Sequence, residues 1–309
     1  MSGTDSADRH SAWREKAKHC APILLYHANF SEPPADFVDN LHNVTPAVMH
    51  RQLTMLKKHF QFVFVDELAE SGCRPGLAAV TFDDGYLTVL DEALEVLTDL
   101  EIPCTLFING STFEKRIFWR DKVRFIINNQ LIEAWNQFTA NQFTLPEKSF
   151  YYSTKDPANN SKVVDQALDR FLETQNISAQ TFRYCLHEVA QLKPHPLVAY
   201  GNHSHHHYVL SSLSDSEQYQ EIRATDDLLR GIPLIQKSAL FSIPFGKPLH
   251  FNAGTLSCGR ELGYSGVLLS RNRLNVSPPT WQEDMPLLER FMAPTTDSWI
   301  TYSDYTERK

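Results

Sequence analysis

No stretch of this sequence approaches the roughly 20 consecutive apolar residues that a membrane-spanning helix requires. Basic clusters are missing as well: 29 lysines and arginines face 37 acidic residues, a net charge of −8 with no Lys/Arg-rich tail. That balance argues against nucleic acid or an anionic membrane as a partner. Cysteine is scarce. The five present, Cys20, Cys73, Cys104, Cys185 and Cys258, are odd in number and never spaced C-x-x-C, so neither a disulfide framework nor a thiolate zinc site is expected. Reduced thiols fit a cytosolic protein. The N-terminal stretch has no apolar signal-peptide core, which gives the same expectation: a cytoplasmic protein, at most peripheral to the inner membrane. A G-x-S-x-G nucleophile elbow is also absent, which weakens a serine-hydrolase reading.

What is present suffices for a large core. At 309 residues and 42% hydrophobic, the chain makes one large domain or two ordinary ones. Residues 1–20 are polar and expected to be mobile, leaving 21–309 as the folded body. "PILLYHANF" reads as a buried strand ending on His27, and "TPAVMHRQLTMLKKHF" as a helix with Thr45 as N-cap and Pro46 at its first position. "FVFV" at 62 to 65, "AAVTF" and "PCTLFI" read as further strands, with a helix over "LTVLDEALEVLTDLEI". Downstream, "PLVAYG", "SALFSIPFG" and "YSGVLLS" are strand-like, and Ser214 to Glu217 form a capping box that opens a helix. Strands alternating with helices imply an α/β fold with a parallel sheet, open or closed into a barrel.

Between about 114 and 196 the rhythm changes to amphipathic helices, read over "FWRDKVRFIINNQLIEAW", "VVDQALDRFLETQ" and "SAQTFRYCLHEVAQL". These form a helical insertion, with an outer ring of barrel helices as the alternative. Its aromatic residues Trp119, Trp135, Tyr151 and Tyr152 either stack on a ligand or pack among the helices.

Two clusters carry chemistry, each following an apolar strand, where the active sites of parallel α/β folds collect. The first is Asp83-Asp84-Gly85. On extended backbone, adjacent side chains point to opposite faces, so one carboxylate would serve a metal and the other a substrate. Taken alone, the triplet reads as a turn, and its context gives it chemical weight. The second cluster, "GNHSHHHYVLSSL", holds four histidines, with His203 and His207 at a spacing that a helical turn would bring to one side. Two imidazoles and one carboxylate make a three-ligand set with open positions, suited to Zn²⁺ or a similar divalent ion. The remaining aspartate would be a general base toward the attacking water. His205 and His206 are either supports for the ligands or solvated, and Ser204 is placed to orient the loop.

These stretches resemble the polysaccharide deacetylases, metal-dependent carbohydrate esterases. "TFDDGY" is similar to their first motif and "HSHHH" to their H-[ST]-x-x-H motif; "ILLYH" and "SIPFG" are similar to the opening strand and the third motif. The resemblance covers about residues 22 to 112 and 197 to 293, and leaves the insertion outside. It implies a distorted (β/α) barrel, with Asp83 as base and Asp84, His203 and His207 as metal ligands. It also implies that the Phe245 amide faces an oxyanion. The family's third-motif arginine is missing, and Arg290 in "LLERF" stands where a late motif could supply a charge near Asp83. No histidine follows His250, so the general acid is sought in His27 or His250.

The function implied is removal of an N-acyl group, acetyl first among them, from an amino sugar in surface-glycan or lipopolysaccharide synthesis. A glycan, a lipid-linked sugar or a nucleotide sugar would be the substrate. A deformylase and a catalytically silent sugar-binding or assembly protein on the same barrel are the alternatives. The sequence leaves the oligomeric state open.

Overall fold

A computed structural model describes residues 13–178 and 182–296 of the chain. Its frame is a run of short, buried strands: β1 (Ile23–Tyr26), β3 (Leu77–Phe82), β4 (Cys104–Ile108), β5 (Val198–Asn202), β6 (Gln236–Ser242) and β7 (Gly266–Leu268). They pair side by side in parallel, in that order, with the two-residue β2 (Gln61–Phe62) against the start of β3. In β1, β3, β4, β5 and β7 every residue is buried, as expected where both faces of a parallel sheet are covered.

One segment joins the two ends of this run. Strand β9 (Met285–Leu288) pairs with β7, and β10 (Phe291–Met292), two residues further on, pairs with β1. The result is a curled sheet of ten strands, in which only the pair of β8 (Thr280–Gln282) with β9 is antiparallel. This is the distorted (β/α) barrel architecture. The C-terminal ends of β1, β3, β5 and β6 and the kink between β9 and β10 open on one side.

The helices that cover the sheet follow local rules. Helix α1 (Pro46–Lys57) begins at Thr45, whose hydroxyl accepts from the Val48 amide, and buries Met49, Leu53 and Leu56. Helix α2 (Val65–Glu70) starts where a strand was expected: the "FVFV" strand stops at Phe62, and Val65 turns inward as the first helical residue. Residues 89–93 form a π-turn that leads into α3 (Leu94–Asp99).

The insertion lies between β4 and β5. The single long helix expected from Phe118 to Trp135 is two, α4 (Trp119–Asn128) and α5 (Ile132–Phe138), separated at Gln130, whose φ is 58°. The short α6 (Phe150–Ser153) and the longer α7 (Ser161–Thr174) follow. The third expected helix, over 178–192, does not form in the described residues: Cys185 bridges Tyr86 there, and only a 3₁₀ turn occupies Val189–Gln191. That segment is used to close over Tyr86 rather than to cover the sheet.

Trp119, Val123, Ile126, Trp135, Leu168 and Phe171 of the insertion share one buried cluster with Phe241, Ile243 and Leu269 around β6 and β7. The insertion therefore belongs to the barrel's own core. Helices α8 (Asp215–Arg230), opened by the Ser214–Glu217 capping box, and α9 (Ala253–Glu261) complete the cover. Of the N-terminal segment, residues 1–12 lie outside the described residues, while Trp13 is buried against Phe60 and Phe291.

Candidate active site

Asp83 and Asp84 follow β3 directly, but not as an alternating pair. Asp84 has φ of 70°, the left-handed region that few non-glycine residues occupy, and Gly85 continues the turn at 70°. Extended alternation stops at that point, and both carboxylates reach one imidazole: His203 Nε2 is 3.5 Å from Asp83 Oδ2 and 3.6 Å from Asp84 Oδ1. The histidine pair is likewise joined by irregular backbone, not a helical turn, with Ser204 at φ 64° and His207 at φ 60°. Such strain persists where the surroundings over-determine it. Ser204 Oγ accepts from the His207 amide, and the Trp119 indole donates to the His207 carbonyl, 3.0 Å in each case.

The ligand-capable atoms of Asp84, His203 and His207 all lie within 4.8 Å of one another. His207 Nε2 is 3.3 Å from Asp84 Oδ1, an oxygen that is buried and has no hydrogen-bond donor. The Ser242 carbonyl accepts a hydrogen bond from His203 Nδ1–H at 2.8 Å, which fixes that ring's proton on Nδ1 and leaves Nε2 bare toward Asp84. An orphaned buried carboxylate oxygen facing imidazole nitrogens is the donor set a divalent cation fits. Burial, only partly opposed by Arg124, lifts the Asp84 pKa to about 8, so a cation would have to displace a proton there at neutral pH.

Asp83 is held differently. Arg290, fully buried, grips it with two parallel bonds, NH1 to Oδ1 at 2.8 Å and NH2 to Oδ2 at 2.7 Å. Ser242 Oγ donates to the same carboxylate at 3.1 Å, and Arg290 Nε is anchored on the Leu269 carbonyl. Burial works to raise the Asp83 pKa, but Arg290 overrides it and holds the group at about 2. Arg290 gets there because it sits in the kink between β9 and β10.

The two histidines sought as proton donors are placed unlike one another. His27 lines the cleft beside Asp83, and its Nδ1 is 3.0 Å from His42 Nδ1, whose Nε2 in turn donates to the Ala293 carbonyl at 2.7 Å. Followed outward, these bonds assign the proton of His27 to Nδ1 and leave its Nε2 free for the cleft. His250 also lines the cleft, but its Nδ1 accepts the Lys247 amide at 3.3 Å and its ring lies against that of Phe245. Burial together with Lys155 and Lys247 pushes its pKa down to about 3. His250 thus braces the turn that carries Phe245, where φ is 61°. The Phe245 ring packs edge-on to His207, and its amide makes no backbone hydrogen bond among the described residues.

His205 and His206 turn away from the cluster, to Glu114 and Glu221 respectively, and hold the loop rather than the site. Residues whose roles sequence reasoning missed are Ser242, the first residue of the "SIPFG" stretch, and His42, a lone histidine with no local signal. His42 carries a testable cost. Burial lowers its pKa to about 4, from the ordinary 6.5, so the folded state refuses a proton that the unfolded chain accepts. Stability is then intact above pH 6.5 and falls as pH drops toward 4, by at most about 1.4 kcal/mol per unit. His42→Gln should flatten that part of a pH series of urea unfolding midpoints; an unchanged slope would remove His42 as the source.

Catalytic-type side chains at the C-terminal ends of parallel strands mark the class as a (β/α)-barrel enzyme. The polysaccharide deacetylase family model matches residues 72–267, and the chain belongs to that family, among carbohydrate deacetylases. Among solved structures, the Streptococcus pyogenes deacetylase PplD in complex with acetate is similar at 15% identity, with a TM-score of 0.55 over 89% of this chain and 92% of that one. IcaB from Ammonifex degensii is similar at 17% identity and a TM-score of 0.51, again over 89% and 92%. The BpsB deacetylase domain from Bordetella bronchiseptica follows at 14% and 0.51, over 89% and 96%. At such identities the likeness is one of fold. No curated protein matches the sequence. No helix among the described residues is long and apolar enough to cross a membrane.

Proposed function

We propose that this protein hydrolyses an N-acyl group, acetyl in the first instance, from an amino sugar during assembly of a surface glycan or lipopolysaccharide, with zinc as its metal. The observation that carries the reading is the pairing of two unlike sites: ligand atoms of Asp84, His203 and His207 within 4.8 Å, beside a carboxylate already gripped by Arg290. Zinc suits two imidazoles and one carboxylate with positions left open. An ion held there would supply Lewis-acid polarisation to the acyl carbonyl and the attacking water.

The chain's own residues do the rest. Asp83, kept ionised by Arg290 and oriented by Ser242, takes the proton of the attacking water. The Phe245 amide donates to the oxygen that becomes negative as the carbonyl is attacked. As the C–N bond breaks, His27, bare at Nε2 and held neutral by burial, accepts the proton that Asp83 has taken from the water and passes it to the leaving nitrogen, while His42 keeps the other proton on Nδ1. His250 is not assigned a proton-transfer role, because it serves the turn. The five buried, unpaired cysteines support work in a reducing compartment.

The test is metal content together with acetate release. Purified protein should hold about one ion per chain and release acetate from N-acetylated amino sugars, with N-formyl analogues as the comparison. A His203→Ala, His207→Ala variant should lose the ion and the activity together, while circular dichroism stays native. Absence of metal after incubation with zinc, and absence of acyl release, would leave a silent sugar-binding protein on this barrel.

A further inference from the structure

The cleft has a second wall. About 440 Å³ of space runs from Asp83, Asp84, His203 and His207 to Arg120, Tyr151 and Lys155 of the insertion and Lys247 of the loop after β6. The carboxylates of the first wall have their partners: Arg290 answers Asp83, and an ion held by Asp84, His203 and His207 would answer Asp84. Arg124, also on the insertion, is answered by Asp121 at 2.7 Å.

Arg120 has no such answer. Its guanidinium is sandwiched between the rings of Trp119 and Tyr151, at 4.5 and 4.4 Å. It gives NH1 to Thr154 Oγ1 and NH2 to the Tyr151 carbonyl, and its buried Nε has no acceptor. No carboxylate pairs with it among the described residues, although it is only 1% exposed. A buried cation without a counter-ion is costly, and aromatic sandwiching offsets that cost only in part. Lys155 adds a second positive charge, poised over the Tyr151, Tyr152 and Phe245 rings, and Lys247 a third; neither makes an ion pair among the described residues.

The local field reports the excess. Burial should raise the Tyr151 pKa, yet Arg120, Arg124 and Lys155 together bring it down to about 7. Lys155 is itself depressed to about 8, by burial first, and would regain its proton affinity beside an anion.

Resting on the amino-sugar reading above, we propose that Arg120, Lys155 and Lys247 form a phosphate subsite, and that the substrate is an amino sugar carrying a phosphate or diphosphate group. A single carboxylate would leave such a cationic wall in excess. A phosphoryl group matches both its charge and the planar donor fork of arginine. The same chemistry is offered by a nucleoside-diphosphate sugar, a polyprenyl-diphosphate sugar and a phosphorylated glycan.

Two measurements on the whole protein test this separately from the hydrolase reading. Calorimetric titration with inorganic pyrophosphate should show binding that weakens about tenfold for each of Lys155→Gln and Lys247→Gln, while His203→Ala, His207→Ala has little effect. Lys247 is exposed and Lys155 half-buried over the Tyr151 and Phe245 rings; circular dichroism of each variant shows that it is folded before its binding is compared. Equal binding by the wild type and the Lys155→Gln, Lys247→Gln variant, or no binding, overturns the subsite. In parallel, kcat/KM for acetate release from N-acetylglucosamine 1-phosphate should exceed that for the neutral methyl glycoside by about tenfold or more. The advantage should disappear, through KM, in the double lysine variant. Equal rates for charged and neutral sugars overturn the subsite and leave the hydrolase. Pyrophosphate binding through the lysines, with no acyl sugar turned over, keeps the subsite and removes the hydrolase. The better substrate between a nucleoside-diphosphate and a polyprenyl-diphosphate N-acetyl sugar identifies the source of the phosphate.

Discussion

Asp83→Asn should slow acyl release by about 10² to 10⁴-fold, the range a positioned general base contributes, while the metal content stays that of the wild type. The separation follows from the geometry. Asp84, His203 and His207 supply the converging ligand atoms, and Asp83 stands outside that set with its oxygens committed to Arg290 and Ser242. An asparagine keeps one carbonyl acceptor for the guanidinium, so the fold survives better than after Asp83→Ala, but it cannot take up a proton. The measurement is steady-state acetate release alongside mass-spectrometric metal content on one preparation. Full activity in the variant would remove Asp83 as base, and loss of metal would mean that it is a ligand instead.

Arg290→Met should have the largest effect on stability, about 3–5 kcal/mol, as expected when one partner of a buried ion pair is removed and the other stays. Methionine keeps much of the volume, so the loss is electrostatic rather than a cavity. It leaves Asp83 with Ser242 Oγ as a donor and strips the Leu269 carbonyl of its guanidinium bond. The same residue ties the kink between β9 and β10 to the end of β3, so the segment joining the two ends of the sheet loosens with it. Urea unfolding at pH 7 measures the loss. A change below about 1 kcal/mol, the range of an exposed pair, would mean that the pair is solvated in solution. Coupling between the two positions can be isolated by combining Arg290→Met with Asp83→Asn: the double variant should be less destabilised than the sum of the single ones.

How much of this was legible in the sequence depends on the distance over which each feature is decided. Strand cores such as "AAVTF" and "PCTLFI" and the caps at Thr45 and Ser214 rest on neighbours within a few residues, and the structure has them where the pattern puts them. The "FVFV" strand and the helix over 178–192 failed for a common reason. Val65 is buried as a helix start and Cys185 bridges Tyr86, and both are outcomes of packing against distant chain that override local preference. The aspartate pair was read on extended backbone, and the left-handed turn at Asp84 reversed the expected divergence of its carboxylates.

By itself the sequence determined the alternation of strand and helix, the placement of acidic and histidine clusters at strand ends, and a family resemblance. All of these are local in the chain or repeat along it. Only the tertiary structure decided which groups meet. Arg290 grips a carboxylate 207 residues away, and His42 and Ala293, 251 residues apart, set the tautomer of His27. Arg120 is left without a counter-ion in a wall made from the insertion and the loop after β6. Pairings of that kind depend on the curl of the sheet, which brings β10 beside β1, and a periodicity of two or 3.6 residues holds no record of it.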